Sequence, residues 1–140
     1  MPNNLSPKKK LTRRQQRDLD IEIGFIEGIV ARDPHYVEAL QILGDDYTQR
    51  GKLNHGLRVD ERLARLRPDD YLVLYNLSCS YSLTNQLEGA LSALSRAIDC
   101  GYDDFRWLAR DPDLINLRND PRFKRIQAKI RSVRLKLKQA

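Results

Sequence analysis

Few side chains in this sequence have the types and spacing that catalysis requires. The candidates for a general base or a metal ligand are His35, His55 and three adjacent aspartate pairs. His35 follows a proline at a predicted turn and His55 begins a predicted helix, so we interpret both as surface polar residues. The aspartate pairs fit helix faces and helix starts, where the helix dipole favours a negative charge. These pairs are Asp45-Asp46, Asp69-Asp70 and Asp103-Asp104.

The sequence also lacks the motifs of common active sites. It contains no phosphate-binding glycine loop, no zinc-ligand spacing and no nucleophile elbow. Cys79 and Cys100 lie 21 positions apart without forming a CxxC pair, so we expect two free, partly buried thiols. We therefore expect a protein that is not an enzyme and has no catalytic residue, metal ion or cofactor.

No part of the sequence predicts membrane insertion or secretion. Charged or small residues interrupt the apolar stretches every few positions, well short of the roughly 18 apolar residues that a membrane span requires. The basic start of the chain is not followed by an apolar run, so no secretory signal is predicted. We expect a cytoplasmic protein.

Charge divides the chain into an acidic body and two basic ends. The net charge is +6, but residues 1–17 carry +6 and residues 121–140 carry +8, neither segment having an acidic residue. Residues 18–120 carry −8. Because the first segment is polar, charged and poor in apolar residues, we expect residues 1–16 to form a flexible basic arm.

An internal repeat of 34 residues organises the body of the chain. Pro34 and Pro68 each follow a helix-like run, and a further step of 34 reaches Tyr102. The segment LQILGDDYTQRGKLNHGL aligns with LYNLSCSYSLTNQLEGAL one repeat later. Gly51 and Asn85 fall at the same place in the two units and are the residue types that best tolerate the left-handed conformation after a helix. Each unit is therefore predicted to be helix–turn–helix.

This pattern resembles the tetratricopeptide repeat family, whose signature is W-x2-L-G-x2-Y, then A-x3-F, then P. The matching runs here are Leu40-x2-Leu43-Gly44-x2-Tyr47, Leu74-x2-Leu77-Ser78-x2-Tyr81 and Ala90-x3-Leu94. The chain departs from the signature where Leu replaces the tryptophan, at Gly56-x3-Asp60, and where Tyr102 replaces the terminal proline.

The resemblance implies an all-α fold, a short right-handed superhelix of antiparallel helix pairs. It also implies a division of the chain: a capping helix at 17–34, repeats at 35–68 and 69–102, and a degenerate third repeat with a basic C-terminal helix at 103–140. In the last part we expect short helices at about 104–109 and 112–118 and a long helix from about 121, with Trp107 as a core or cap residue.

The resemblance further implies binding of a protein or peptide partner along a concave groove built from the first helix of each pair. The groove residues it implies are Gln41, Asp45, Leu72, Tyr75, Asn76, Cys79, Leu83, Arg106 and Arg110. Some family members bind a peptide carboxylate there, and Asn76, Arg106 and Arg110 match three such positions. The first unit has Gln41 and Asp45 instead of the expected Lys and Asn, and Asp45 would repel an anion. An adaptor or scaffold is the leading hypothesis.

The C-terminal helix offers an alternative binding surface. Its apolar residues step by 3, 4, 3 and 4 positions, which is the seam of a helix pair. They are Phe123, Ile126, Ile130, Val133 and Leu137. The seam either caps the last repeat or pairs with a second copy in a homodimer. A basic patch beside it predicts attraction to an anionic partner: Lys124, Arg125, Lys129, Arg131 and Arg134. Nucleic acid is disfavoured because aromatic residues are not interleaved with these charges.

Overall fold

The computed structural model describes residues 10–139, and every regular element in that range is helical, which confirms the predicted all-α class. The helices are α1 (Arg13–Arg32), α2 (Val37–Arg50), α3 (Leu53–Leu66), α4 (Tyr71–Leu83), α5 (Leu87–Asp99), α6 (Phe105–Leu108), α7 (Ile115–Arg118) and α8 (Lys124–Gln139). Two 3-10 turns, Pro112–Leu114 and Pro121–Phe123, precede α7 and α8.

The basic arm predicted at residues 1–16 does not extend as far as expected. Helix α1 begins at Arg13, because Thr12 accepts a hydrogen bond from the Gln15 backbone N–H while the Gln15 side chain accepts one from the backbone N–H of Thr12. The last four residues assigned to the arm are therefore helical. Residues 1–9 lie outside the described part of the chain.

The two predicted turn residues adopt the left-handed conformation. Gly51 has φ of 85° after α2, and Asn85 has φ of 62° after α4. In both turns, the backbone N–H of the residue that follows donates to the carbonyl of a tyrosine in the preceding helix, Tyr47 or Tyr81, with N–O distances of 2.8 Å. These bonds satisfy carbonyl groups that a helix end leaves without partners.

Helices α1 to α4 each pack against the next helix along the chain. One buried cluster joins α1, α2, α3 and the start of α4, with Ile23, Leu40 and Leu63 among its members. A second cluster joins α4 and α5 to everything that follows, and it includes Leu94 and Leu117. The core therefore lies in separate clusters along the helices, and partly buried Ala64 packs against both of these.

A tertiary contact recurs at the spacing of the sequence repeat. The Tyr47 hydroxyl of α2 donates to the Glu27 carboxylate of α1, and the Tyr81 hydroxyl of α4 donates to Glu61 of α3 at 2.9 Å. Both partners of the second bond lie 34 positions after those of the first. Helix α1 therefore contacts α2 in the same way that α3 contacts α4.

The C-terminal helix divides into a buried and an exposed half. Ile126 is 1% exposed and packs in the second cluster, whereas Leu135 is 59% and Leu137 65% exposed. Val133, between them, is partly buried. Within residues 10–139, no helix is at once long and apolar enough to cross a membrane.

Candidate functional site

A cleft of about 640 Å³ opens between α2, α4 and the segment that leads into α6, with α3 contributing to its wall. Five of the nine predicted groove residues line it: Gln41, Asp45, Leu72, Tyr75 and Asn76. The other lining residues are Asp60, Leu63, Tyr71, Val73, Tyr102, Asp103, Asp104 and Trp107. The cleft therefore draws on two successive helical units and on the segment that follows them.

The remaining four predicted groove residues lie outside this cleft. Cys79 is 1% exposed, and Leu83 is half-buried at the end of α4. Arg106 and Arg110 are exposed, but neither lines the cleft that holds Asn76. The grouping of Asn76 with two guanidinium groups, which a carboxylate site of the family type needs, is therefore absent from the cleft lining.

Tyr75 was predicted to contact a partner, but it is a buried wall residue. Its side chain is 3% exposed, its hydroxyl donates to Oδ2 of Asp111 at 2.6 Å, and its ring stacks on Tyr102 with centroids 4.3 Å apart. Burial and the neighbouring Asp111 carboxylate raise the pKa of Tyr75 far above its usual range. Tyr75 therefore shapes the cleft through its contacts with the protein itself.

The lining of the cleft is acidic. It contains Asp45, Asp60, Asp103 and Asp104 and no lysine, arginine or histidine. Burial raises the pKa of Asp60 to about 7, although the Ser80 hydroxyl donates to its Oδ2 and partly offsets that effect. Burial also raises the pKa of Asp45. The Asp104 carboxylate accepts from the backbone N–H of Trp107 at 3.1 Å and so caps α6.

Exposed apolar and aromatic side chains border the same cleft. Leu72 is 55% and Tyr71 42% exposed, and Tyr71 meets Tyr102 edge-on with centroids 6.3 Å apart. Trp107, expected in the core or a cap, is half-buried: it packs against the second core cluster and also lines the cleft. The Arg110 guanidinium lies 5.9 Å from the centre of its ring.

The predicted groove omits eight residues of the lining, most of which do not belong to a first helix. Asp60 lies on α3, and Asp103 and Asp104 lie between α5 and α6. Family geometry places a groove on first helices alone, so it does not select these acids. The adjacent pair Asp103-Asp104 was visible as a candidate, but it was assigned to a helix start, which is the role that Asp104 has.

One group of side chains has the chemistry of metal ligands: Cys79, Asp111 and Asp113, whose ligand atoms lie within 4.8 Å of one another. Burial and the two carboxylates raise the pKa of Cys79 well above its usual value, which keeps the thiol protonated. The thiol donates to Oδ2 of Asp111 at 3.7 Å. In the structure this network holds α4 against the Pro112–Leu114 turn. Cys79 and Cys100 are both free thiols.

The predicted anionic-partner patch is partly engaged with the body of the protein. Lys129 pairs with Asp99 at 2.7 Å and Arg125 with Glu88 at 3.4 Å. The Arg134 guanidinium lies 5.5 Å from the centre of the Phe105 ring. The other two members, Lys124 and Arg131, are exposed. Acidic residues of α5 therefore already form ion pairs with part of the basic patch on α8.

Comparisons with known proteins find similarity over part of the chain, and no family model matches it. The chain is 35% identical over 83 residues to a chloroplastic protein of Arabidopsis thaliana, covering 57% of this chain and 25% of that protein. It is 33% identical over 90 residues to the peroxisomal targeting signal receptors of Komagataella phaffii and Komagataella pastoris, covering 63% of this chain and 16% of each receptor. The chain thus spans a quarter or less of the length of these curated relatives.

Proposed function

We propose that this protein is a tetratricopeptide-like interaction module, an adaptor that binds a peptide segment of a partner protein in the cleft and carries out no chemistry. The observation that carries the proposal is that the first helices of both units share one cleft lining, with Gln41 and Asp45 from α2 and Leu72 and Asn76 from α4. Gln41 and the buried wall residue Tyr75 occupy equivalent positions, 34 apart, in the two units. A surface built from equivalent positions of successive units is what a stacked helical repeat provides for a ligand.

The repeated tertiary contact supports the same architecture. The bonds Tyr47–Glu27 and Tyr81–Glu61 mean that α1 relates to α2 as α3 relates to α4. We therefore propose a short superhelix in which α1 is the second helix of an incomplete unit. The similarity to a protein named as a targeting signal receptor adds support for a binding role, over the segment that is shared.

Leu72 is the side chain best suited to test the cleft. It is 55% exposed, so replacing it with a charged residue should leave the fold intact while placing a charge where apolar contact is expected. Tyr75 cannot serve for this test, because its buried contacts would be lost at the same time. The matched control is Leu137, which is 65% exposed near the end of α8.

The experiment compares Leu72→Glu and Leu137→Glu as immobilised proteins that capture a partner from a lysate of the source organism. If the cleft is the binding surface, Leu72→Glu loses the captured protein and Leu137→Glu retains it. The reverse result would assign binding to α8 and contradict the proposal. Circular dichroism of both variants establishes that they remain folded.

The second candidate function is self-assembly through α8. The observation that favours it is the exposure of Leu135 and Leu137 on the last turns of that helix, at 59% and 65%. Within one copy of the described chain, more than half of each of these side chains stays exposed to solvent. Pairing with a second copy would bury them.

A further inference from the structure

The charge of the cleft indicates what kind of segment it accepts. Asp45 of α2, Asp60 of α3 and the Asp103-Asp104 pair bring four carboxylates into one lining from three parts of the chain. No basic side chain of the lining balances them. Arg106 and Arg110 do not line the cleft, although the Arg110 guanidinium lies over the ring of the wall residue Trp107.

The four carboxylates differ in their structural roles. Asp104 caps α6 through the Trp107 N–H, and Asp60 is buried and accepts from Ser80. Asp45, which is half-buried, and Asp103, which is exposed, stand on different elements, α2 and the segment after α5. An arriving cation would interact with both and would be selected over an anion, which the same charges repel.

The walls of the cleft suit a cation on an otherwise apolar segment. Tyr71 and Trp107 present aromatic rings, and aromatic faces attract guanidinium and ammonium groups within about 6 Å. Trp107 already has the Arg110 guanidinium at 5.9 Å, so its ring takes part in such a contact within this chain. Leu72 and Tyr71 add exposed apolar surface for neighbouring side chains of the segment.

We propose that the cleft binds a partner segment that carries a lysine or arginine next to apolar residues, with the cation beside Asp45 and Asp103 and the apolar side chains against Leu72 and Tyr71. This inference rests on the proposed function and specifies the chemistry of the partner. A segment recognised by its terminal carboxylate, the alternative raised by the resemblance, is disfavoured by the carboxylates of Asp45, Asp103 and Asp104 in the same lining.

The test uses a displayed library of random heptapeptides, selected on the full chain and on two variants of equal net charge. In the first variant, Asp45→Asn and Asp103→Asn remove the two acids of the cleft between which the cation is placed. In the second, Asp18→Asn and Asp33→Asn remove two exposed acids that do not line it. Selected peptides are then synthesised with blocked ends and titrated by following the fluorescence of Trp107, the only tryptophan in the chain.

The expected result is enrichment of Lys or Arg beside apolar residues, with affinity about tenfold weaker for the cleft variant and unchanged for the control. Selected peptides that lack basic residues, or that bind both variants equally well, would overturn this inference while leaving the proposed function standing. Failure to select any peptide would overturn both. A concentration-dependent dimer that only the cleft variant abolishes would make a second copy the occupant and would also overturn the inference.

Discussion

The hydroxyl of Tyr75 donates a hydrogen bond of 2.6 Å to Oδ2 of Asp111, which lies 36 positions later in the chain. Both side chains are buried, at 3% and 4% exposure. Asp111 also accepts from the backbone N–H of Asp113 at 2.9 Å, and its carbonyl accepts from the Arg118 guanidinium at 2.7 Å. This bond therefore joins the wall of the cleft to the turn that begins the C-terminal part of the fold.

Replacing Tyr75 with phenylalanine should lower the free energy of unfolding by about 1–3 kcal/mol, because the buried Asp111 carboxylate loses its phenolic donor while the ring keeps its place. Urea denaturation followed by circular dichroism measures the difference. Tyr71→Phe is the control, since Tyr71 is 42% exposed and its loss should cost less than about 0.5 kcal/mol. Equal stability of Tyr75→Phe and the unchanged protein would show that the bond contributes nothing.

The Tyr75–Asp111 bond also shows where prediction from sequence reaches its limit. Periodicity, prolines and turn residues predict helix–turn–helix units at 35–68 and 69–102, and the structure has one helix pair within each range, because those signals are local. The resemblance, by contrast, implies that Tyr75 and Cys79 face a concave groove beside a degenerate third repeat, with short helices expected at about 104–109 and 112–118. In the structure α6 is only 4 residues long, and α4 packs against the Pro112–Leu114 turn and α7. Tyr75 and Cys79 are buried as a result.

Glycine-to-alanine changes should have opposite effects at two positions. Gly51 has φ of 85°, so Gly51→Ala should cost about 1 kcal/mol through backbone strain, although its Cβ would meet no atom within 4 Å. Gly24 lies inside α1 with equally open space, so Gly24→Ala should stabilise by about 0.5–1 kcal/mol through helix propensity. Thermal unfolding of both variants measures the pair. Shifts of the same sign would contradict the assigned conformation of Gly51.

The stability of the α1–α2 contact should fall as the pH rises through about 7. Burial, with a hydrogen bond and a like charge from Glu22, raises the pKa of Asp46 from its usual 3.8 to about 7. The folded state thus binds the Asp46 proton more tightly than the unfolded state. Protonation of Asp46 therefore stabilises the fold fully below pH 4, and this stabilisation is lost as the pH rises through 7. Asp46 Oδ2 is buried without a hydrogen-bond partner, an environment that disfavours the charged form of the carboxyl group.

Asp46→Asn removes this titration and retains a donor for Glu22. We expect the variant to melt a few degrees higher than the unchanged protein at pH 8, with the advantage disappearing towards pH 4. Some pH dependence remains, because the raised pKa of Asp60 acts with the same sign. Melting temperatures between pH 4 and 8 measure the effect, with Asp18→Asn as the exposed control on α1. A difference in melting temperature that is constant across this range would contradict the proposed protonation.

The two halves of α8 should differ in what their removal does. Ile126 is 1% exposed in the second core cluster, so Ile126→Ala should cost about 2–5 kcal/mol. Deleting residues 135–140 should change the unfolding free energy by less than about 0.5 kcal/mol, because Leu135 and Leu137 are exposed and Arg134 keeps its place over Phe105.

Light scattering of the full chain and the truncated chain then separates the two candidate functions. We expect a monomer in both, since the leading proposal places the binding surface in the cleft. A dimer that disappears on truncation would instead make α8 a self-assembly surface. Within residues 10–139, Leu135 and Leu137 are the only large apolar side chains of α8 that are more than half exposed, and the truncation removes both.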